Sequence, residues 1–433
     1  MSYPAPEAWT STTSSSAKPG PSWLPVLLAA SLALPWGACW LLAATPGPIL
    51  TSFLSGLAIL GAAFLLAWAA EAFQMDVSQA FALALLALIA VLPEYAVDAV
   101  FTWKSATDPA FASYPVANMT GANRLLIGFG WSAIVLMGWL RYGAHRVVLD
   151  RSNALELGVL TAATIYAISI PFKGSLSLVD TLALGAMFVF YAWATSRLPS
   201  EQPHLVGPAK AIGQLPTIRR RLATYALFLY AAAAIFISAK PFAEGLVHTG
   251  LSLGIDEFLL VQWLAPLASE APEFLVAMLF AWRAQAIAAL RVMVSSTVNQ
   301  WTLLIATLPL VYSVAKGQPA AMPLDSRQIQ EILLTAAQSA FALTLATRFV
   351  IGRWEALALF GLFGIQISLP TDAVRWTITW LYFALSGLIT VRNPQTLRAL
   401  KSLLRMVCGP FLGPQRESAK QQSAQDRHRD TNF

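Results

Sequence analysis

Two glutamates stand where hydrocarbon is expected. In ALIAVLPEYAVDAVFTW, residues 87–103, Glu94 follows Pro93; in PLASEAPEFLVAMLFAW, residues 266–282, Glu273 follows Pro272. The two runs align without a gap: Leu88 with Leu267, Pro93 with Pro272, Glu94 with Glu273, Val97 with Val276, Phe101 with Phe280 and Trp103 with Trp282. A proline inside a helix removes one backbone hydrogen bond and pushes away the carbonyl four residues earlier, here those of Ile89 and Ala268. A freed carbonyl in hydrocarbon needs a partner or a polar cavity. A lone ionised carboxylate at that depth is costly as well. Paired carboxylates and freed carbonyls make an oxygen-rich site, the donor set of hard cations such as Ca²⁺. Two facing carboxylates also repel, so without a cation one tends to hold a proton. Protons and metal would compete for one place. A single Pro-Glu could be a solvated helix end at the membrane surface; its repetition in register inside two apolar runs argues against that.

The elements that must hold this pair are membrane helices. The 433 residues are 57% hydrophobic and 12% charged, against roughly 25% charged in soluble chains. Uncharged stretches such as 23–43 and 50–70 are long enough to span a bilayer core of about 30 Å. Apolar segments at 23–43, 50–73, 77–103, 114–140, 155–172, 178–196, 223–246, 256–281, 286–314, 329–350, 353–369 and 374–391 predict twelve helices. Residues 1–22 read as a disordered polar tail, and 392–433 as a basic surface helix passing into disorder. Basic residues gather in alternate loops, at Arg141, Arg146 and Arg151, at Arg197, Lys210 and Arg219–Arg221, at Arg283, at Arg348 and Arg353, and in the tail. The positive-inside bias then places both termini in the cytoplasm, in a bacterial plasma (inner) membrane by preference. The first span could alternatively be a cleaved signal peptide. The net charge of +6 reflects this orientation rather than nucleic-acid binding; the expected partners are the bilayer and small cations.

The Pro-Glu segments are the third and eighth spans, five apart, so they cross the membrane in opposite directions. This predicts an all-α polytopic membrane protein with two inverted five-helix repeats. They cover 50–196 and 223–369, joined by a cytoplasmic loop, 197–222, with extra helices 23–43 and 374–391 at the ends. Inverted repeats are a transporter architecture with the site at the midplane between halves.

At this point the pattern resembles the cation/calcium exchanger superfamily, which includes sodium/calcium and proton/calcium exchangers. Its two alpha repeats each carry a Thr-Ser-Leu-Pro-Glu-like motif and then a Gly-Asn-x-x-Gly-Ser-Asn-like motif. The resemblance covers about 50–369, with its motifs in 87–130 and 265–310. It implies that Glu94 and Glu273 bind the central cation. Ser269 matches the motif threonine, while Glu270 replaces its serine. In VMVSSTVNQWTLL, residues 292–304, Ser296 matches the liganding serine and Gln300 the polar residue one turn later, with Asn299 beside it. In VANMTGANRLLIG, residues 116–128, Asn118, Gly121 and Asn123 fit, but Ala122 and Leu126 replace polar positions; Ala90 and Val91 replace Thr-Ser. These losses imply altered ion stoichiometry.

The metal ligands expected on this basis are Glu94, Glu273, Ser269, Ser296 and Gln300. Asp98, Asn118, Asn123, Glu270 and Asn299 are expected to line the site. Asp98 lies one turn after Glu94 and so faces the same side; it reads either as a proton carrier or as a partner of Arg124. Arg291 could neutralise Glu270. The implied function is secondary antiport of a cation, Ca²⁺ foremost, against Na⁺ or H⁺. The alternatives are a Na⁺/H⁺ exchanger on the same scaffold, or a non-transporting membrane protein that kept the fold. No cofactor and no enzymatic activity are expected. No His-Glu-x-x-His occurs, and no histidine lies in an apolar span to activate a serine.

Overall fold

The computed structural model describes residues 23–76, 92–149, 153–197, 205 and 207–408. The predicted tails 1–22 and 409–433, much of the third predicted span and part of the central loop lie outside the described residues. The chain opens with two short helices, α1 (Leu24–Ser31) and α2 (Leu34–Leu41). Then come α3 (Pro48–Phe73), α4 (Leu92–Ser105), α5 (Tyr114–Leu125), α6 (Ser132–Tyr142), α7 (Ala154–Lys173) and α8 (Leu178–Thr195). A short α9 (Pro208–Gly213) precedes α10 (Thr217–Leu253), α11 (Glu257–Trp282), α12 (Ala286–Asn299), α13 (Ile305–Lys316), α14 (Ser326–Ala346) and α15 (Arg353–Ser368). Helices α16 (Asp372–Arg392) and α17 (Pro394–Cys408) follow.

Among the described residues nine helices are long and apolar enough to cross a membrane, and α11 makes a tenth. The chain is an integral membrane protein. Of the twelve predicted spans, 77–103 is described only as α4, and 353–369 is α15, a 16-residue helix about 24 Å long. Helix α11 bends by 62° between Glu257–Ala271 and Glu273–Trp282, the break that Pro272 predicts.

The leading spans of the two halves, α3 and α10, pack together extensively. Ser52 Oγ meets Thr249 Oγ1 at 3.0 Å, Phe73 packs on Phe228 and Tyr225, and Asp76 meets Arg220. As α3 numbering rises, α10 numbering falls, so these two helices run antiparallel. Small residues let their backbones approach: a Cβ at Gly245 would stand 2.6 Å from Ser52 Oγ, and one at Gly56 2.9 Å from the Phe242 ring.

Two miniature antiparallel sheets tie the halves elsewhere. Strand β1 (Arg146–Val148) pairs with β4 (Val350–Gly352), and β2 (Ser175–Leu176) pairs with β3 (Met322–Pro323). Each sheet takes one strand from each half. A π-helical stretch follows α5 at Leu126–Trp131 and another follows α12 at Gln300–Leu304. The basic run 219–221 is more than an orientation signal: Arg220 forks onto Asp76 at 2.8 and 2.7 Å, and Arg221 adds a bond at 3.1 Å. These guanidinium groups hold the Asp76 carboxyl below its ordinary pKa. The predicted surface helix is α17, seated on α7, where Leu403 and Val407 are buried beside Gly158.

Candidate functional site

Glu94 lies in the first turn of α4 and is 2% exposed. Across from it, Gln300 opens the second π-helical stretch and is fully buried. A π-bulge widens a helix locally and recurs at functional sites. Gln300 Nε2 donates to Glu94 Oε2 at 3.4 Å and also to Glu270 Oε1. One side-chain amide is thus shared between a carboxylate of the first half and one of the second. The Glu94 and Glu270 carboxyls lie within hydrogen-bonding reach of each other. Beside them Tyr95 donates its hydroxyl to Asn299 Oδ1 at 3.1 Å.

Several oxygens here are buried without a hydrogen-bond partner among the described residues: Glu94 Oε1, Glu270 Oε2, Glu273 Oε2 and Gln300 Oε1. Buried polar atoms are normally satisfied. Unsatisfied oxygens of one charge sign, drawn from both halves, suit a cation. Among the described residues no three His, Cys, Asp or Glu side chains group as a metal centre. A cation here would meet carboxylate, amide and hydroxyl oxygens. That is a donor set for transient binding by a hard ion.

The sequence pairs Glu94 with Glu273; the structure seats Glu270 directly against Glu94. Glu273 lies just past the bend in α11, half-buried, with its Oε2 lacking a hydrogen-bond partner among the described residues. Ser269 is buried one residue before Glu270, its hydroxyl donating back to the Ala265 and Pro266 carbonyls at 3.1 and 3.3 Å. Its lone pairs remain available. Ser296 is half-buried one turn before Gln300. The two π-helical stretches begin at Leu126 and Gln300, the positions matched by the sequence motifs.

Asn118 is engaged elsewhere: its Nδ2 donates to Asp98 Oδ1 at 2.8 Å. Asn123 Nδ2 bonds the Met119 carbonyl at 3.1 Å, so it holds its own helix. The reading in which Asp98 pairs with Arg124 fails. Arg124 instead pairs with Glu331 of α14 at 2.5 Å, both 2% exposed. Glu270 accepts from the Gln300 amide.

Sequence reasoning missed the second buried polar network. Gln262 Nε2 donates to Glu331 Oε2 at 3.0 Å, Gln338 Nε2 to the Arg124 carbonyl at 3.1 Å, and Gln366 Nε2 to the Tyr382 hydroxyl at 2.9 Å. Arg375 of α16 reaches Glu331 at 3.7 Å. The signal was available: Glu331 and Gln338 interrupt an apolar run, as Glu94 does. Neither lies in the segments whose repetition was read, so repetition did not mark them. Tyr95, whose partner in the repeat register is the apolar Phe274, was not marked either.

The family model described as sodium/calcium exchanger protein matches residues 47–197 and 223–371. The chain belongs to the sodium/calcium exchanger protein family. Its matched blocks leave out the central loop and both ends. This exchanger-family chain is similar to a solved structure described as H⁺/Ca²⁺ exchanger CAX. The two share 41% identity at a TM-score of 0.84, over 89% of this chain and 97% of that one. Native YfkE shares the fold at 13% identity and TM-score 0.57, over 79% of this chain and 98% of that one. The sodium-calcium exchanger NCX_Mj shares it at 18% identity and TM-score 0.51, over 74% and 98%. No curated protein sequence matches the chain.

Proposed function

We propose that this exchanger-family chain is a secondary antiporter that moves Ca²⁺ across a bacterial inner membrane against H⁺ or Na⁺, with both termini in the cytoplasm. The observation that carries the reading is the shared amide of Gln300 between Glu94 and Glu270. It joins carboxylates from both halves amid unpartnered oxygens. Glu94 and Glu270 form the inner pair, and Glu273, Ser269, Ser296 and the Gln300 carbonyl complete the ligands. Asp98, Asn118, Asn123 and Asn299 shape the surroundings.

The organisation we propose is two inverted repeats, 50–196 and 223–369, with 23–43 and 374–391 as added helices. The antiparallel run of α3 against α10 supports this. So do the two strand pairs that each join both halves, and the matching positions of the π-helical stretches. The likeness to the H⁺/Ca²⁺ exchanger CAX supports the proton as counter-ion.

In this mechanism the cation replaces protons on the carboxylates. Loaded with Ca²⁺, the facing charges are neutralised. Empty, the cluster relieves its repulsion by protonation. Either form can cross between access states, and a doubly charged empty pair cannot. The test is calcium-45 uptake into proteoliposomes driven separately by a pH gradient and a sodium gradient. Uptake with one gradient, lost in Glu94→Gln, is the expected result. Sodium-22 movement with no calcium flux would establish the Na⁺/H⁺ alternative, and no flux of either ion would end the transport reading.

A further inference from the structure

One buried acid outside the proposed ligand set, among the described residues, is Asp98. It is 1% exposed, and only its Oδ1 has a partner, Asn118. Its own Oδ2 and two further oxygens, Thr102 Oγ1 and Asn118 Oδ1, are buried without a hydrogen-bond partner among the described residues. Thr102 lies four residues beyond Asp98, as Asp98 does beyond Glu94, so all three project from one face of α4. Two residues beyond Thr102, on another face of the helix end, Lys104 pairs with Glu244 of α10 at a partly exposed position.

The second half lacks this feature. In the register that sets Glu94 on Glu273, Asp98 corresponds to Ala277 and Thr102 to Ala281, both fully buried. The apolar choice was open to the fold, because the second half makes it. An unpaired carboxylate in hydrocarbon costs several kcal/mol, and apolar residues of similar size would avoid that cost.

We propose that Asp98, Thr102 and Asn118 form a second, transient cation subsite one helical turn beyond Glu94. It lies on the route between the central carboxylates and the Lys104–Glu244 end of α4. A carboxylate oxygen, a hydroxyl and an amide carbonyl supply one negative charge and three donors. That suits a partly hydrated cation in passage and is too few for a resident one. The subsite gives the first half an aqueous approach to the site that the second half lacks. The inference rests on the antiport reading for its purpose, while its existence is measurable without transport.

The test replaces Cys39 and Cys408 by serine, introduces Thr102→Cys or Ala281→Cys, and reacts each chain in proteoliposomes with a cationic and a neutral methanethiosulfonate reagent. Thr102→Cys should react, and faster with the cationic reagent by about tenfold, the lower end of focusing by a charged cleft. Ala281→Cys should stay inert. Adding Asp98→Asn should remove the cationic preference, and adding Asp98→Glu should keep it, which separates lost charge from lost folding. An unreactive Thr102→Cys, equal reaction at Ala281→Cys, or a preference that survives Asp98→Asn would overturn the subsite. Loss of calcium flux in the parent chain, with this labelling pattern intact, would instead overturn the antiport reading.

Discussion

At the residue scale the proposed chemistry turns on one amide. Gln300 donates to both Glu94 and Glu270, so it holds two like charges at a fixed separation and leaves their outer oxygens unpaired. Hydrogen bonds to charged groups contribute about 1.5–3 kcal/mol. Gln300→Leu should therefore raise the calcium concentration for half-maximal flux by roughly tenfold to a hundredfold, measured by calcium-45 uptake, while Gln300→Glu should add a further charge and favour protonation. Glu270→Ser restores the hydroxyl found in related motifs. It should weaken proton-driven uptake more than Glu273→Asp does, since Glu270 shares the Gln300 amide with Glu94 and Glu273→Asp keeps its carboxylate. Glu94 and Glu273 were legible because they repeat in register; Glu270 was legible only as a departure from a motif. What the sequence could not give was the rank among the three, which depends on how far α11 turns at its bend.

At the element scale the helices are joined by a few buried polar contacts. Arg124 of α5 and Glu331 of α14 are nine-tenths or more buried. Removing one member of such a pair strands a charge and costs about 3–5 kcal/mol. Glu331→Leu should accordingly destabilise the detergent-solubilised chain strongly. Arg124→Leu combined with Glu331→Leu should recover much of the loss, which a double-mutant cycle by thermal unfolding would read. Outside the spans, Arg220 and Arg221 lower the pKa of Asp76. A carboxylate whose folded pKa is depressed stabilises the fold above its unfolded pKa, and that contribution fades as pH falls through the folded pKa. Asp76→Asn should therefore lower the unfolding temperature at pH 7, with the gap to the parent closing below about pH 4. The helix positions themselves were legible from hydropathy, because backbone groups in lipid must be satisfied within the segment. The polar partners across helices were not, since Glu331 and Gln338 look in sequence like interruptions with no indicated partner.

At the scale of the whole molecule the two halves meet along α3 and α10 and at the two strand pairs. Gly245 is the tight point, with a Cβ there 2.6 Å from Ser52 Oγ. Gly245→Leu should destabilise the chain by about 1–3 kcal/mol through overpacking, and Gly185→Ala, where only ordinary contact is met, should not; thermal unfolding of the two variants checks this. The two-half organisation we propose rests, in the sequence, on one repeated dipeptide. The sequence could not announce the strand pairs, because strands of two or three residues leave no alternation to read. Those strands have a consequence for biosynthesis. Arg146 of β1 waits for Gly352, and Ser175 of β2 waits for Pro323. At roughly 5–20 residues per second the ribosome needs tens of seconds to deliver β4 after β1. During that time the first half sits in the membrane with open backbone edges and its carboxylates unmatched. The nascent chain is then a client for whatever shields half-built membrane proteins, and slowed translation between residues 200 and 320 should raise its degradation before it alters its activity.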